Sequence, residues 1–219
     1  MNPILKRIIA ALTTAALIVV AIIYAPVSWF LPIISILAAL ATLEYLSLLN
    51  RKLPLISLKA IIPSIIGFVI ICGGLGSLYA IARGYDKVMM LYIIAIVKIS
   101  DMGGFALGVS TAKLMKGGNH KLCPTISPNK SWEGLFGSVV ASIALSCAFI
   151  PITHFPIVKA IVFGLIAALV GTFGDLVESR FKRWIGVKDS STFMPAGMGG
   201  FLDMFDSLLI APIVLYFLI

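Results

Sequence analysis

Charge is what this sequence has least of. Asp, Glu, Lys and Arg together make up 12% of it, against about 25% in an ordinary soluble domain. Only 9 of its 219 positions are acidic, and 2 are histidine. A chain this poor in polar side chains cannot cover a folded surface with groups that water accepts, which excludes an ordinary soluble domain. Cysteine is sparse too. Cys72, Cys123 and Cys147 are scattered, with no CxxC spacing and no histidine beside them, which argues against a disulfide framework or a zinc site. Cys72 and Cys147 lie in apolar runs and read as small hydrophobes. Internal repeats and low-complexity segments are lacking as well.

What fills the chain instead is apolar. Hydrophobic residues account for 60% of it, and the mean hydropathy is +1.10. A bilayer core of about 30 Å takes about 20 apolar residues per helical span. The sequence therefore predicts an all-α polytopic transmembrane bundle of about seven spans. These fall at 6–24, 28–49, 60–82, 87–107, 133–152, 157–182 and 201–218. The first follows Lys6 and Arg7 as a signal peptide would. No small-residue cleavage site comes after it, and Pro26 leads straight into another apolar run, so it reads as a retained helix. The stretch from Pro54 to Arg83 reads as one tilted helix or two short ones, because Pro63 and Gly73-Gly74 allow either.

Two long polar stretches remain, 108–132 and 183–200, punctuated by Gly117-Gly118, Pro124, Pro128, Pro195 and Gly199-Gly200. With the N-terminus inside, the inner segments carry Lys6, Arg7, Arg51, Lys52, Lys59, Lys113, Lys116, Lys121, Lys130, Arg180, Lys182, Arg183 and Lys188, and the outer ones only Arg83, Lys87 and Lys159. Lys98 lies within a span. Excess Lys and Arg marks cytoplasmic loops, so both long loops are expected to face the cytoplasm. The net charge of +8 has two readings: this bias together with attraction to anionic lipid heads, or the binding of an anionic substrate.

The few acids are informative because a carboxylate in a bilayer core is costly and so faces a cavity, a cation or a basic partner. Asp86 and His154 fall in short outer loops and read as solvated or structural. Asp203 and Asp206, three apart, share one helix face, and Asp175 and Glu178 repeat the spacing, with Lys182 one turn further on. Such pairs repel unless a cation or proton sits between them, and hard cations such as Mg2+ bridge carboxylates to phosphates. Interhelical ion pairs without chemistry are the plainer alternative. Gly197-Met198-Gly199-Gly200 before the last helix permits close backbone approach to an anion. It also reads as a simple flexible turn. In the run Ser127-Pro128-Asn129-Lys130-Ser131-Trp132-Glu133-Gly134, Ser131 reads as an N-cap, Trp132 as an interfacial anchor and Lys130 as a phosphate contact.

At these residues the chain resembles the phosphatidate cytidylyltransferases, or CDP-diacylglycerol synthases. The resemblance is carried by S-R-F-K-R-W-I-G-V-K-D-S-S-T-F-M-P-A-G-M-G-G-F-L-D-M-F-D-S from Ser179 to Ser207 and by the lead-in Gly174-Asp175-Leu176-Val177-Glu178-Ser179. It is supported by Ser127 to Gly134, by Ser100-Asp101-Met102-Gly103 and by Glu44-Tyr45. It covers most of the chain from residue 98, so that 1–97 reads as N-terminal transmembrane helices and 98–219 as the catalytic region. Met198 stands where the family usually has His, Met204 where it has Arg, and Met102 where Thr or a similar residue is common.

The resemblance implies a metal-dependent nucleotidyltransferase that joins CTP to phosphatidate in the bilayer, giving CDP-diacylglycerol and pyrophosphate. Asp175, Lys182, Arg183, Lys188, Asp189, Asp203 and Asp206 would form the catalytic set. Ser179, Lys121, Lys130, Gly199 and Gly200 would contact substrate. Asp175, Asp203, Asp206 and Asp101 would hold Mg2+, as two divalent or mixed cations. It implies an inner (plasma) membrane protein with its site toward the cytoplasm and no nucleic-acid partner, and it leaves room for a homodimer. Two other readings stay open on the residues alone: a multispan transporter or ion-conducting protein, since intramembrane acids and Lys98 suit ion pathways, and a noncatalytic lipid-binding relative.

Overall fold

A computed structural model describes residues 19–115, 118–190 and 200–219. Four helices in it are long and apolar enough to cross a membrane: α1 (Val27–Lys52), α2 (Leu58–Gly84), α3 (Lys87–Leu114) and α6 (Ile157–Ile185). They run to 26, 27, 28 and 29 residues. At 1.5 Å per residue each is about 40 Å long, more than the hydrocarbon core requires. Between α3 and α6 come a two-stranded antiparallel hairpin, β1 (Lys121–Cys123) and β2 (Ser127–Ser131), then α4 (Trp132–Ala148) and the single turn α5 (Ile150–Thr153). The chain ends with α7 (Phe201–Phe205), a 3-10 turn (Asp206–Leu208) and α8 (Ala211–Tyr216). The expected first span, 6–24, lies largely outside the described residues. Its last part, 19–24, is helical.

The ends of these helices follow local chemistry. Asp86 accepts the Lys87 N–H and caps α3. Ser131 accepts the Gly134 N–H at 3.0 Å and caps α4, as its sequence setting suggests. At the end of α6, Gly186 takes φ +91, so its own N–H and that of Val187 both return to the Lys182 carbonyl at 3.0 Å. A side chain is strained in that left-handed conformation and glycine is not. Pro54 to Arg83 holds one helix. Pro63 lies near its start and removes a single backbone bond.

Three expectations are corrected. The last segment is not one helix over 201–218: it breaks at Asp206–Leu208 before restarting at Ala211. Asp206 turns its carboxylate onto the Ser207 N–H, an alternative to the helical bond, and Pro212 has no N–H to carry the ladder across the break. The expected helix 133–152 divides at Phe149, two residues before Pro151. The expected loop 108–132 begins as the end of α3 and contains the hairpin, a small exception to an all-α fold.

The core gathers Leu48, Ile71, Leu75, Ile81, Tyr92, Ile93, Ile96, Phe163 and Leu215, all at most 1% exposed. Around it, Ile62, Phe105, Phe136 and Phe173 stay more than half exposed, an apolar surface that lipid covers and water would not. Polar links tie the helices together inside it. The Tyr92 and Ser146 hydroxyls lie 2.6 Å apart, Ser146 donates to the Ala160 carbonyl, and Ser142 to that of Ile96. α3 and α4 pack backbone to backbone: a Cβ at Gly103 would run into Ala141 and the Gly137 carbonyl. That close approach fixes the face of α3 from which Lys98 and Asp101 emerge.

Candidate active site

One cavity of about 780 Å³ gathers aspartates and lysines that lie far apart in the sequence. α3 supplies Lys98, Asp101 and Lys113, the hairpin Lys121 and Lys130, α6 Asp175, and the broken last segment Asp203 and Asp206. Gly104, Gly108, Asn119 and Thr172 fill in the wall. The break at Asp206–Leu208 matters here, because it lets α7 and the 3-10 turn approach α3 and α6 together.

Three of the four aspartates meet a different lysine. Asp175 is ion-paired with Lys130 across the hairpin–α6 boundary, and it also accepts from Ser179 Oγ at 3.3 Å. Asp203 Oδ1 receives Lys182 Nζ at 2.7 Å, while its Oδ2 accepts the backbone N–H groups of Gly200 at 2.9 Å and Ser190 at 3.1 Å. Lys182 also binds Glu178 at 2.7 Å. Asp206 lies 4.0 Å from Lys98, and the same ammonium is 3.6 Å from Asp101. Lys98 donates to the Met204 carbonyl at 3.1 Å and to Ser207 Oγ at 3.0 Å, and Ser207 Oγ reaches Asp101 at 2.8 Å.

The sequence candidates therefore separate. Asp101, Asp175, Asp203, Asp206, Lys121 and Lys130 line the cavity. Lys182 does not. It lies behind the wall with its side chain 13% exposed, locked between Glu178 and Asp203. Arg183 points away and donates to the carbonyls of Ile126 and Val187. Lys188 and Asp189 are exposed and away from the cavity lining. Ser179 acts on Asp175. Gly200 is tightly enclosed, since a Cβ there would strike Ser190 Oγ and the Glu44 carboxylate. Gly199, like Pro195 and Met198, lies outside the described residues. Met204 contributes its backbone carbonyl, and its residue is 52% exposed. Among the described residues no three acids converge closely enough to hold an ion by themselves.

Sequence reasoning left two participants without a site role. Lys98 reads from sequence as a charge inside a span that would suit an ion pathway, not as part of the catalytic set, and its rarity in an apolar run is its signal. Glu44 is wholly buried and accepts the Leu202 N–H at 2.9 Å, which fixes the entry to α7. His120 lies 2.7 Å from Glu133 and ties the start of the hairpin to the start of α4.

An apolar bundle of long helices enclosing a cavity of interleaved aspartates and lysines defines a membrane-type helical protein with a charged internal site. The family is fixed by comparison: a model of the cytidylyltransferase family matches residues 56–219, and the chain belongs to that family. It is 45% identical over 120 residues to the phosphatidate cytidylyltransferase of Staphylococcus aureus (strain COL), covering 54% of this chain and 44% of that protein. It is 39% identical over 137 residues to that of Staphylococcus haemolyticus (strain JCSC1435), covering 61% and 50%. It is 40% identical over 138 residues to that of Staphylococcus epidermidis (strain ATCC 12228 / FDA PCI 1200), again covering 61% and 50%. The matches span about half the length of these relatives.

Proposed function

We propose that the chain is a phosphatidate cytidylyltransferase, converting CTP and phosphatidate to CDP-diacylglycerol and pyrophosphate. The observation that carries this reading is the cavity itself: four aspartates and four lysines, drawn from elements far apart in sequence, line one space inside an apolar bundle. A transfer between two polyanions asks a protein mainly to align them and neutralise their charge.

A phosphatidate phosphate oxygen forms a bond to the α-phosphorus of CTP as the bond from that phosphorus to the β-phosphate oxygen breaks, and pyrophosphate leaves with the electron pair. Phosphatidate is already anionic at neutral pH, so no alcohol-like proton has to be removed. Lys121 and Lys130, on the hairpin, would hold phosphate oxygens. Asp175 keeps Lys130 in place until substrate arrives. Lys182 fixes Asp203 from behind, and Glu44 fixes the turn that leads to it.

The donor set fits Mg2+. It is made of carboxylate oxygens, and Mg2+ is commonly bound by one or two carboxylates, with waters and substrate phosphates completing its shell, so a cage of three acids is not required. Asp101, Asp175, Asp203 and Asp206 would hold it, as two divalent or mixed cations. Bound there, it would offset charge on the phosphates and on the departing pyrophosphate.

Residues 98–219 form the catalytic region in this reading, carried on the helices of 1–97. With the N-terminus inside, the orientation that the distribution of Lys and Arg favours, the hairpin and the segment after α6 would lie on the cytoplasmic face of the cell membrane. There soluble CTP and a bilayer-held lipid both reach the cavity. A homodimer is compatible with the exposed apolar faces.

The test is a purified-protein assay with CTP, phosphatidate and Mg2+. CDP-diacylglycerol and pyrophosphate should appear in equal amounts. A folded, monodisperse preparation that makes neither at any Mg2+ concentration would sink the proposal.

A further inference from the structure

We propose that Lys98 is the resident counter-cation of the Asp101–Asp206 pair: its ammonium joins the two carboxylates in the metal-free protein and gives way when a divalent cation takes them. The inference rests on the reading that these carboxylates hold metal.

Among the described residues two lysines each hold a pair of acids, and they do so differently. Lys182 lies 2.7 Å from both Glu178 and Asp203, with its side chain 13% exposed. That is a closed, short, charge-assisted arrangement built into the wall. Lys98 is 3.6 Å from Asp101 and 4.0 Å from Asp206, with its side chain 38% exposed, and it lines the cavity. Its shorter contacts are to neutral oxygens, the Met204 carbonyl at 3.1 Å and Ser207 Oγ at 3.0 Å. The ammonium thus sits loosely on four oxygens, two of them carboxylate. Without it, two acids from α3 and the 3-10 turn would face each other unscreened, which is unfavourable for both. A hard divalent cation seeks the same all-oxygen surroundings. Two cations cannot share them at these distances, and Lys98 is the one with a long flexible stem and open space beside it. Displaced, the ammonium remains in the cavity as a free positive charge for a phosphate oxygen, so Lys98 is a positioning residue that exchanges one anionic partner for another.

The experiment follows Mn2+ binding to purified protein, without nucleotide or lipid, by loss of the free-ion electron paramagnetic resonance signal. Lys98→Met should bind Mn2+ about tenfold more tightly than the natural chain, the scale on which one nearby like charge shifts an ionic equilibrium. Lys98→Arg, which keeps the charge, should bind like the natural chain. Adding Asp206→Asn to Lys98→Met should abolish the gain. Should Lys98→Met not run as a single species, Lys98→Gln carries the same expectation, because its amide can still donate to the Met204 carbonyl and Ser207 Oγ. Equal or weaker binding in the neutral variant, a gain in Lys98→Arg as large as in Lys98→Met, or no Mn2+ binding by any of the proteins overturns the inference. The enzymatic reading fails separately. An active natural chain with no change in Mn2+ affinity would remove only the role of Lys98. An inactive chain whose neutral variant binds Mn2+ more tightly would remove only the reaction.

Discussion

Glu44, fully buried on α1, accepts the backbone N–H of Leu202 at 2.9 Å, a contact between residues 158 positions apart. It ties the N-terminal helices to the turn that delivers Asp203 and Asp206. Glu44→Ala leaves that N–H buried without an acceptor, which costs about 1–3 kcal/mol. Its thermal unfolding midpoint in detergent is expected to fall, and turnover with it. Glu44→Gln retains a carbonyl acceptor and is expected to keep most of the stability. Equal midpoints for the natural chain and Glu44→Ala would show that the contact does not hold the turn.

Asp203 and Asp206 are separated by their partners, and their variants are expected to differ. Asp203 carries Lys182 and two backbone N–H groups. Asp203→Asn should lose both stability and activity, because it loosens the start of α7 and weakens the hold on a lysine that is 13% exposed. Asp206 has weaker partners, the loosely held Lys98 and the neighbouring Ser207 N–H. Asp206→Asn should leave the unfolding midpoint close to that of the natural chain and lower kcat by about 10²-fold or more, the scale on which removing a key electrostatic group acts. Near-normal turnover of Asp206→Asn at saturating Mg2+ would exclude it from the reaction.

The four long helices were legible because composition alone demands them: runs of more than 20 apolar residues have no other stable arrangement in lipid. The N-cap at Ser131 was legible for a local reason, a short side chain at a polar-to-apolar boundary. The aspartates at 175, 203 and 206 stood out because charge inside apolar sequence is rare. What sequence did not reveal was pairing. Lys182 follows Glu178 by one helical turn, yet its second partner, Asp203, lies in another element. Lys98 reaches Ser207 across 109 positions, and no local pattern encodes that distance. The break in the last segment was hidden too, because a proline alone does not predict one: Pro32 and Pro63 lie inside continuous helices of this chain. Only close packing beside Gly74, where a Cβ would strike the Leu209 carbonyl, shows how the bend is accommodated.

The orientation of the bundle can be checked chemically. Lys113, at the end of α3, and Lys188, after α6, are exposed, as is Tyr85 in the turn between α2 and α3. Single cysteines at 113, 188 and 85 would be introduced into a chain lacking Cys72, Cys123 and Cys147. In intact cells a membrane-impermeant maleimide should reach position 85 and leave 113 and 188 untouched until the membrane is opened. Labelling of 113 or 188 from outside would reverse the assignment and remove the cytoplasmic route for CTP.

Lys130 and Asp175 should act as a coupled pair in the free protein and separately with substrate. They are ion-paired across the boundary between hairpin and α6, with side chains 23% and 27% exposed, so solvent tempers their attraction and the pair is expected to contribute little to stability. Their larger effect should be on binding. Lys130→Met removes a charge-assisted contact to phosphate of about 1.5–3 kcal/mol, and is expected to raise KM for CTP by about 10- to 100-fold with a smaller change in kcat. Asp175→Asn should affect kcat instead, through the lost carboxylate in the cavity. The double variant separates these roles. If Asp175 served only to hold Lys130, the two losses would not add, because removing either partner would already have broken the contact. If each acts on substrate in its own right, the double variant should lose nearly the sum of the two free energies in kcat/KM. Full non-additivity would reduce Asp175 to a support for Lys130 and take it out of the proposed metal set.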